Sequence, residues 1–310
     1  MGTHSESERS LLNEAAQALS CQDRFSVVDP SAQVGAGSVL GPHVFIDALA
    51  IVGEHCVIES GAHVARGTIV EDHVYIGANV AFASPPGGMK LPVVVKQGAW
   101  IGANVSIVAA GIVIGAKAVI RPGTVVTRSV PPGAIVEGNP GNIVGYVDAA
   151  QGPAGAATVA GTSGKPAVEV TPVKGVTVHH FPVVRDLRGN LTVGEFERQI
   201  PFKPMRYFMV YDVPSRELRG EHAHHQCHQF LICLRGSCAV VADDGVHRVE
   251  VALDSPDRGL YLPPMTWGIQ YKYSADAMML VFASDYYDRD DYIREYADFI
   301  ARVETNADVH

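Results

Sequence analysis

Along the first half of the chain, bulky apolar positions recur every six residues. Val34, Leu40, Ile46, Val52, Ile58, Val64, Val70, Ile76 and Phe82 hold this register without a gap. Two places before each stand Ala32, Ser38, Val44, Ala50, Cys56, Ala62, Thr68, Val74 and Val80, all small or β-branched. Neither the helical nor the strand period produces a step of six. A hexapeptide β-helix does, because each six-residue unit forms one short side of a triangular coil. The bulky residue then fills the axis, the small one fits near the corner, and stacked coils bury a continuous core. The register breaks at "ASPPGGMKLPVV" (Ala83–Val94), whose prolines and glycines predict a loop leaving the coil. It resumes with Ile101 and Ile107, slips by one residue at "IVAAGIVIG", continues with Ile114, Ile120 and Val126, and closes over Val130–Val147. His55 and His73, one coil apart, are predicted to stack, whereas His43 and His63 fall at other positions of the coil. Zinc needs three converging nitrogen or sulfur ligands, and this half offers no third.

Ala, Gly, Ser, Thr and Val dominate residues 149–170 without a sustained period, which reads as a linker. Beyond it come short runs of alternating polarity, "VTVHHFPVV", "LTVGEFE", "MRYFMVYDV", "HQFLICLRGSCAVVAD", "HRVEVAL", "GLYLPP" and "MMLVFAS", punctuated by Arg188-Gly189-Asn190 and Asp243-Asp244-Gly245. Many short strands of this kind predict a jelly roll or small barrel. The closing "YYDRDDYIREYADFIARV" shifts to helical spacing, with Tyr292, Tyr296, Phe299 and Ile300 on one side. The opening "MGTHSESERSLLNEAAQALS" reads as a short amphipathic helix through Leu11, Leu12, Ala15, Ala16 and Leu19. The expected fold is therefore all-β in two domains: a tail over 1–24, a parallel β-helix over 25–148, a linker over 149–170, and a barrel with a terminal helix over 171–310.

Bulk properties narrow the partners. A hydrophobic content of 47% and a charged content of 18% describe a folded chain, and a net charge of −9 disfavours nucleic acid or an anionic membrane as the main partner. The most apolar run, Val105–Ile120, is too short for a membrane span and contains Lys117. Five cysteines without a C-x-x-C pair, and no signal-type apolar core at the start, point to a reduced cytoplasmic setting.

The densest chemistry lies in "RGEHAHHQCHQFLICLRG", with four histidines and a cysteine inside seven residues. His222 and His224, at i and i+2 of a strand, face the same way, and imidazole can take and return a proton near neutral pH. His225 and His228 read as bystanders. The spacing resembles the first cupin motif, His-x-His, four residues, Glu, six residues, Gly. Here Gln229 replaces the carboxylate, and Gly268 in "GLYLPPMTWG" stands where a further histidine is expected. With two ligands replaced, the set suits a divalent metal poorly, so a metal-free proton-transfer pair is expected.

Two stretches carry fuller resemblances. "GAWIGANVSIV" and "VIGAKAVIRPGTVVTRSVPPGAIVEGNP" resemble the left-handed β-helix acyltransferases, particularly the N-acetyltransferases of nucleotide-linked amino sugars. That implies a trimer with acetyl-CoA in the groove between coils, near Gly102, Ala109, Ala110, Gly111 and Lys117. Backbone amides around Gly102 and Gly111 would then serve as oxyanion donors. The Asn-Asp pair of that family's sugar-contacting loop is missing, and Ser84 is the polar side chain left there. "RGEHAHHQCHQFLICLRGSCAVVADDG", "LYLPPMTWG" and "ASDYYDRDDYIREY" resemble the dTDP-sugar 3,4-ketoisomerases. This second resemblance implies dTDP-4-keto-6-deoxyglucose as substrate, cupin dimers, and His222 and His224 as acid/base. Tyr207 or Tyr211 would assist, Arg219 would meet the pyrophosphate, and Gln229 and Trp267 would contact substrate. Together the resemblances imply a bifunctional enzyme of 3-acetamido-3,6-dideoxyhexose synthesis, the kind of sugar found in lipopolysaccharide and S-layer glycans. A separate aminotransferase would act between the two steps, and the assembly would be a trimer or a hexamer. Product configuration, galacto or gluco, stays open. The alternative is a metal-dependent cupin on an inert β-helix scaffold.

Overall fold

The computed structural model describes residues 25–82, 92–109, 111–152, 166–214 and 217–307. The expected N-terminal helix, the loop carrying Ser84, and Ala110 lie outside them. The described residues fall into two compact units that divide between Val147 and Asp148.

The first unit is a three-sided parallel β-helix. Its eighteen strands, from β1 (Val27–Val28) to β18 (Asn142–Tyr146), form three sheets of six, five and seven strands. Ile46, Val52, Ile58, Val64, Val70, Ile76 and Phe82 are all at most 2% exposed, so the six-residue register is indeed the axis of the coil. Each such side chain contributes about 1.5–3 kcal/mol when fully withdrawn from water. The small partners two places earlier are buried as well from Val44 onward. Corners show the same period in the backbone: φ is positive at Gly37, His43, Leu49, His55, Gly61, Gly67, His73 and Asn79. Left-handed conformation costs a non-glycine residue roughly 1–2 kcal/mol. Hydrogen bonds to the coil below offset this, as in His55 N–H to Ala36 O (3.0 Å) and His73 N–H to Glu54 O (2.9 Å). His55 and His73 stack as predicted, 5.3 Å apart and 9° from parallel. His43 occupies a different corner, and His63 lies on a sheet, bonded to Asp47 at 2.9 Å.

Coil register survives both interruptions. β9 (Tyr75–Ile76) sits beneath β12 (Trp100–Ile101), with the two rings stacked 5.6 Å apart, although 83–91 intervene. The axis resumes at Val95, one unit earlier than the sequence pattern suggests, because Val94–Val95 already pairs with Ile69–Val70. The one-residue slip before Gly111 appears as Val94 pairing with Val113 rather than its neighbour.

The second unit packs two six-stranded sheets face to face. Leu231, Cys233, Val240, Val249, Val251, Leu260, Met279 and Val281 fill the space between them. The stretch read as a linker is strand at both ends. Ala149–Gln151 pairs with Arg248–Val249–Glu250, Ala167–Val170 pairs with Thr177–His180, and 153–165 lie outside the described residues. Tyr292 departs from its expected helix. Tyr292–Ile293 is the short strand β32, and the helix α1 runs only over Tyr296–Ala307. Tyr296 and Phe299 anchor that helix on Trp267, and the Tyr296 hydroxyl donates to Asp243 at 2.8 Å.

Glycines fix how closely coils approach. A Cβ on Gly77 would lie 2.6 Å from the Ala103 backbone nitrogen, whereas one on Gly67, at φ +70°, meets nothing within 4 Å. Gly77→Ala is expected to destabilise the unit by about 1–3 kcal/mol through overpacking. Gly67→Ala should cost only roughly 1 kcal/mol of backbone strain. Thermal melting of the two variants checks the order.

Candidate active site

The histidines stand on β25 (Arg219–His224), which pairs antiparallel with β30 (Trp267–Tyr271). Between Gly220 and His222 the register shifts, since Gly220 and Glu221 both have positive φ. A Cβ on Gly220 would lie 2.5 Å from the Gly268 carbonyl oxygen, so glycine is required there. The bulge inserts one residue into the alternation. Arg219, opposite Gln270, and His222, opposite Gly268, therefore face the same side of the sheet. That side lines a small solvent-open cleft with His222, His224, Gln229, Thr266, Gly268 and Gln270 on its walls.

Hydrogen bonds fix both imidazoles. Nδ1 of His222 lies 2.9 Å from the Gly220 carbonyl oxygen, and Nδ1 of His224 lies 2.8 Å from Asp291 Oδ2. Both partners only accept, so each Nδ1 carries the proton and each Nε2 carries the lone pair. The Gln229 amide meets His224 Nε2 at 3.0 Å, as expected of a donor. Burial pulls His222 down to about 4, with the Gly220 carbonyl opposing and the charges of His224 and Arg294 adding to it. Burial likewise lowers His224, against the bond and charge of Asp291. Both bases are thus neutral at physiological pH.

Asp291 also closes the strand end. Its oxygens accept the amides of Gln226 (2.7 Å) and Cys227 (3.3 Å) in addition to His224. Next to it, Tyr292 pairs directly with His224. Its ring centroid lies 4.9 Å from that of His222 and 4.3 Å from that of His224. The Arg206 side chain donates to Asp285 O at 3.1 Å with its charge near Tyr292, and the Arg294 guanidinium sits 4.4 Å over the Tyr292 ring. His224, Cys227 and Asp291 place three ligand atoms within 4.8 Å of one another. Asp291 is already engaged by three donors, and Gln229 turns its amide nitrogen toward His224, which describes a hydrogen-bonded cap.

The remaining expected residues divide. Tyr207 and Tyr211 are 67% and 57% exposed on the outward face of Arg206–Tyr211, because the inward positions are Arg206, Phe208 and Val210. The tyrosine beside the imidazoles is Tyr292, which helical spacing disguised. Trp267 is buried under α1, on the opposite face from Gly268 and Gln270, so it supports the helix and not the cleft. Arg219 is exposed but on the cleft side, near enough for its charge to act on Tyr273, whose hydroxyl burial pushes up. His228 turns away to Tyr261, 2.5 Å from its hydroxyl. In the β-helix, the Gly102 amide donates to Ile120 O at 2.8 Å, so the coil ladder uses it and it is not an oxyanion donor. Gly111 and Lys117 are exposed corners and Ala109 is half-buried. Cys56, Cys227, Cys233 and Cys238 are free thiols, and no helix among the described residues is long and apolar enough to cross a membrane.

Comparison with known proteins divides the chain in the same way. Residues 174–304 match the family model described as FdtA: WxcM-like, C-terminal. Residues 50–81 and 92–128 match the hexapeptide repeat of succinyl-transferase. A TDP-4-oxo-6-deoxy-alpha-D-glucose-3,4-oxoisomerase of Aneurinibacillus thermoaerophilus is 45% identical over 122 residues, covering 39% of this chain and 88% of the relative. A dTDP-3-amino-3,6-dideoxy-alpha-D-galactopyranose 3-N-acetyltransferase of the same organism is 52% identical over 54 residues, covering 17% of this chain and only 28% of the relative. The solved structure of QdtA, a sugar 3,4-ketoisomerase from Thermoanaerobacterium thermosaccharolyticum in complex with TDP, is 33% identical with a TM-score of 0.42, covering 43% of this chain and 97% of that one.

Because His222 drops from 6.5 unfolded to about 4 folded, the unfolded chain binds the extra proton between those values. Its contribution to stability is complete above the unfolded value and is lost as pH falls through the folded one. Urea midpoints of the second unit should decline across that window, and His222→Asn should flatten the decline. Asp291→Asn, which turns a three-way acceptor into a mixed donor, is expected to destabilise by about 1.5–3 kcal/mol. It should also release the fixed tautomer of His224, read by ¹⁵N NMR of the imidazole.

Proposed function

The chain belongs to the family of WxcM-like sugar 3,4-oxoisomerases, and on that premise we propose that its second unit isomerises dTDP-4-keto-6-deoxyglucose to the 3-keto sugar without a metal. The observation that carries this reading is the imidazole pair whose Nε2 lone pairs belong to one cleft. The C4 ketone acidifies the C3–H bond, and a neutral imidazole removes that proton to give an enediolate. Returning the proton to C4 completes the exchange. Asp291 orients His224 and stabilises the imidazolium as it forms, so His224 becomes the stronger base of the pair once the Gln229 amide gives up its Nε2, whereas His222 Nε2 has no hydrogen-bond partner among the described residues. Arg219 on the cleft side is a candidate for the pyrophosphate, and Gly268 leaves room opposite His222 for the sugar ring. Gln229 acts through His224 in this reading.

The first unit is proposed to transfer an acetyl group from acetyl-CoA to the 3-amino group of a dTDP-3-amino-3,6-dideoxyhexose. The amine attacks the thioester carbonyl, the C–S bond breaks, and CoA leaves as the thiolate, with the amine proton passing to solvent or a base. Ala109, Gly111 and Lys117, around the one-residue slip, are candidate acetyl-CoA contacts, and Ala110 and Ser84 remain candidates by sequence. The assembly would be a trimer through the coils, or a hexamer if the cupins pair. An aminotransferase acts between the two reactions, and the product would be a 3-acetamido sugar for cell-surface glycans such as lipopolysaccharide or S-layer, made in the cytoplasm. The convergence of His224, Cys227 and Asp291 supports a second reading, a metal-dependent cupin.

In D₂O with the 4-keto nucleotide sugar, NMR should show deuterium entering at C3 and C4, unaffected by chelators. Absence of exchange rejects the isomerase reading, and chelator sensitivity selects the metal reading. His222→Asn and His224→Asn should each slow isomerisation by about 10²–10⁴-fold. Free CoA should appear when acetyl-CoA and a dTDP-3-amino sugar are supplied together, and its absence would reject the transferase.

A further inference from the structure

His224 has two ring nitrogens, and the proposed chemistry uses only Nε2. On the other side of the ring, Nδ1 lies 2.8 Å from Asp291 Oδ2, and these two atoms and Cys227 Sγ all fall within 4.8 Å of one another. Bonds of about 2.0–2.3 Å to a tetrahedral zinc set such atoms roughly 3.3–3.6 Å apart. The three groups are therefore close to ligating geometry, with a shared proton where the ion would sit. His224 and Cys227 are buried, and a thiolate and a carboxylate together balance the two charges of a divalent ion there. Sulfur and imidazole nitrogen select a zinc-type ion over magnesium or calcium. Asp291 can keep the Gln226 amide on Oδ1 while Oδ2 turns to the ion. The set that the cupin spacing calls for is a different one, and Gln229 and Gly268 replace two of its ligands.

We propose that His224 Nδ1, Cys227 Sγ and Asp291 Oδ2 form a site for a thiophilic divalent cation of the zinc type, and that its occupancy switches the isomerase off. Coordination is independent of the isomerase reading, whereas the effect on activity rests on it. On binding, the Cys227 thiol gives its proton to solvent. The Nδ1 proton of His224 also leaves, Nε2 takes one up, and the imidazole stays neutral. One proton is released in all, nothing is oxidised or reduced, and water fills the fourth position. The proton on Nε2 then occupies the lone pair that would abstract the sugar proton. Gln229, which donates to Nε2 in the metal-free state, must turn its oxygen there instead, and that bond holds the inactive tautomer. The metal-dependent reading draws on the same three groups and predicts the opposite sign.

Co²⁺ added in equal amount to the full chain, first cleared of metal by a chelator, should give a near-ultraviolet thiolate-to-cobalt band. Cys227→Ala and Cys227→Ser should both lack it. Zinc at the same ratio should slow wild-type isomerisation on the order of 10²-fold, and chelator should restore the rate. Each variant should isomerise equally fast with and without zinc. Absence of the band, or its persistence in both variants, rules out the site, as does equal inhibition of wild type and variants by zinc. Activity that zinc leaves unchanged rules out the switch, and activity that requires zinc selects the metal-dependent reading in its place. If the wild-type chain never isomerises the sugar, with or without zinc, while the Cys227-dependent band is present, the isomerase reading has failed and the site stands.

Discussion

The Asp291 carboxylate accepts the amides of Gln226 and Cys227 and the Nδ1 proton of His224, and the architecture of the cleft depends on that convergence. It ties the turn after the histidine strand to the last short strand of the barrel, which carries Tyr292 to His224. It fixes which nitrogen of His224 holds the proton, and so which one faces the cleft. Three donors converge on this half-buried carboxylate, and in the proposed reaction its charge beside the imidazole would stabilise the imidazolium that proton abstraction creates. Folding and chemistry thus draw on the same group.

The backbone makes a comparable contribution one turn earlier. Positive φ at Gly220 and Glu221 adds a residue to the strand, and this turns Arg219 from the outer face to the face of His222. The Gly220 carbonyl at this bulge also accepts from Nδ1 of His222. A regular strand would place the two cleft histidines correctly but leave the arginine on the wrong side. Gly268 across the ladder completes the arrangement, because the wall opposite His222 has no side chain there.

Much of this was legible in the amino-acid order, for reasons that differ between the units. In the first unit, every sixth residue meets the same environment, so the pattern from Ile46 to Phe82 reports the coil directly. The pair His222 and His224 was equally readable, since strand alternation is local. Tyr292 was not, because Tyr292, Tyr296 and Phe299 fit a helical face, and only pairing with a strand nearly seventy residues earlier makes Tyr292 part of a sheet. Trp267 and Gly268 are neighbours that face opposite ways, and sequence adjacency could not say which one met the cleft. The amides around Gly102 were expected as donors from the resemblance, yet the Gly102 amide is bonded within the coil ladder and its bare side is what lets Pro122 of the next coil approach.

The positions of the two irregularities in the coil have a further consequence. Residues 83–91 and the extra residue before Gly111 enter between strands, and Tyr75 still lies beneath Trp100, and Ile69 beneath Val94 beneath Val113. Loop closure entropy grows only slowly with length, so segments at such points can lengthen or shorten at little cost to the stack. The solenoid therefore behaves as a ruler with detachable markings: packing of its core holds the periodicity, while the number of residues between two strands can vary. A segment at such a point can be exchanged with no refolding of the coils on either side.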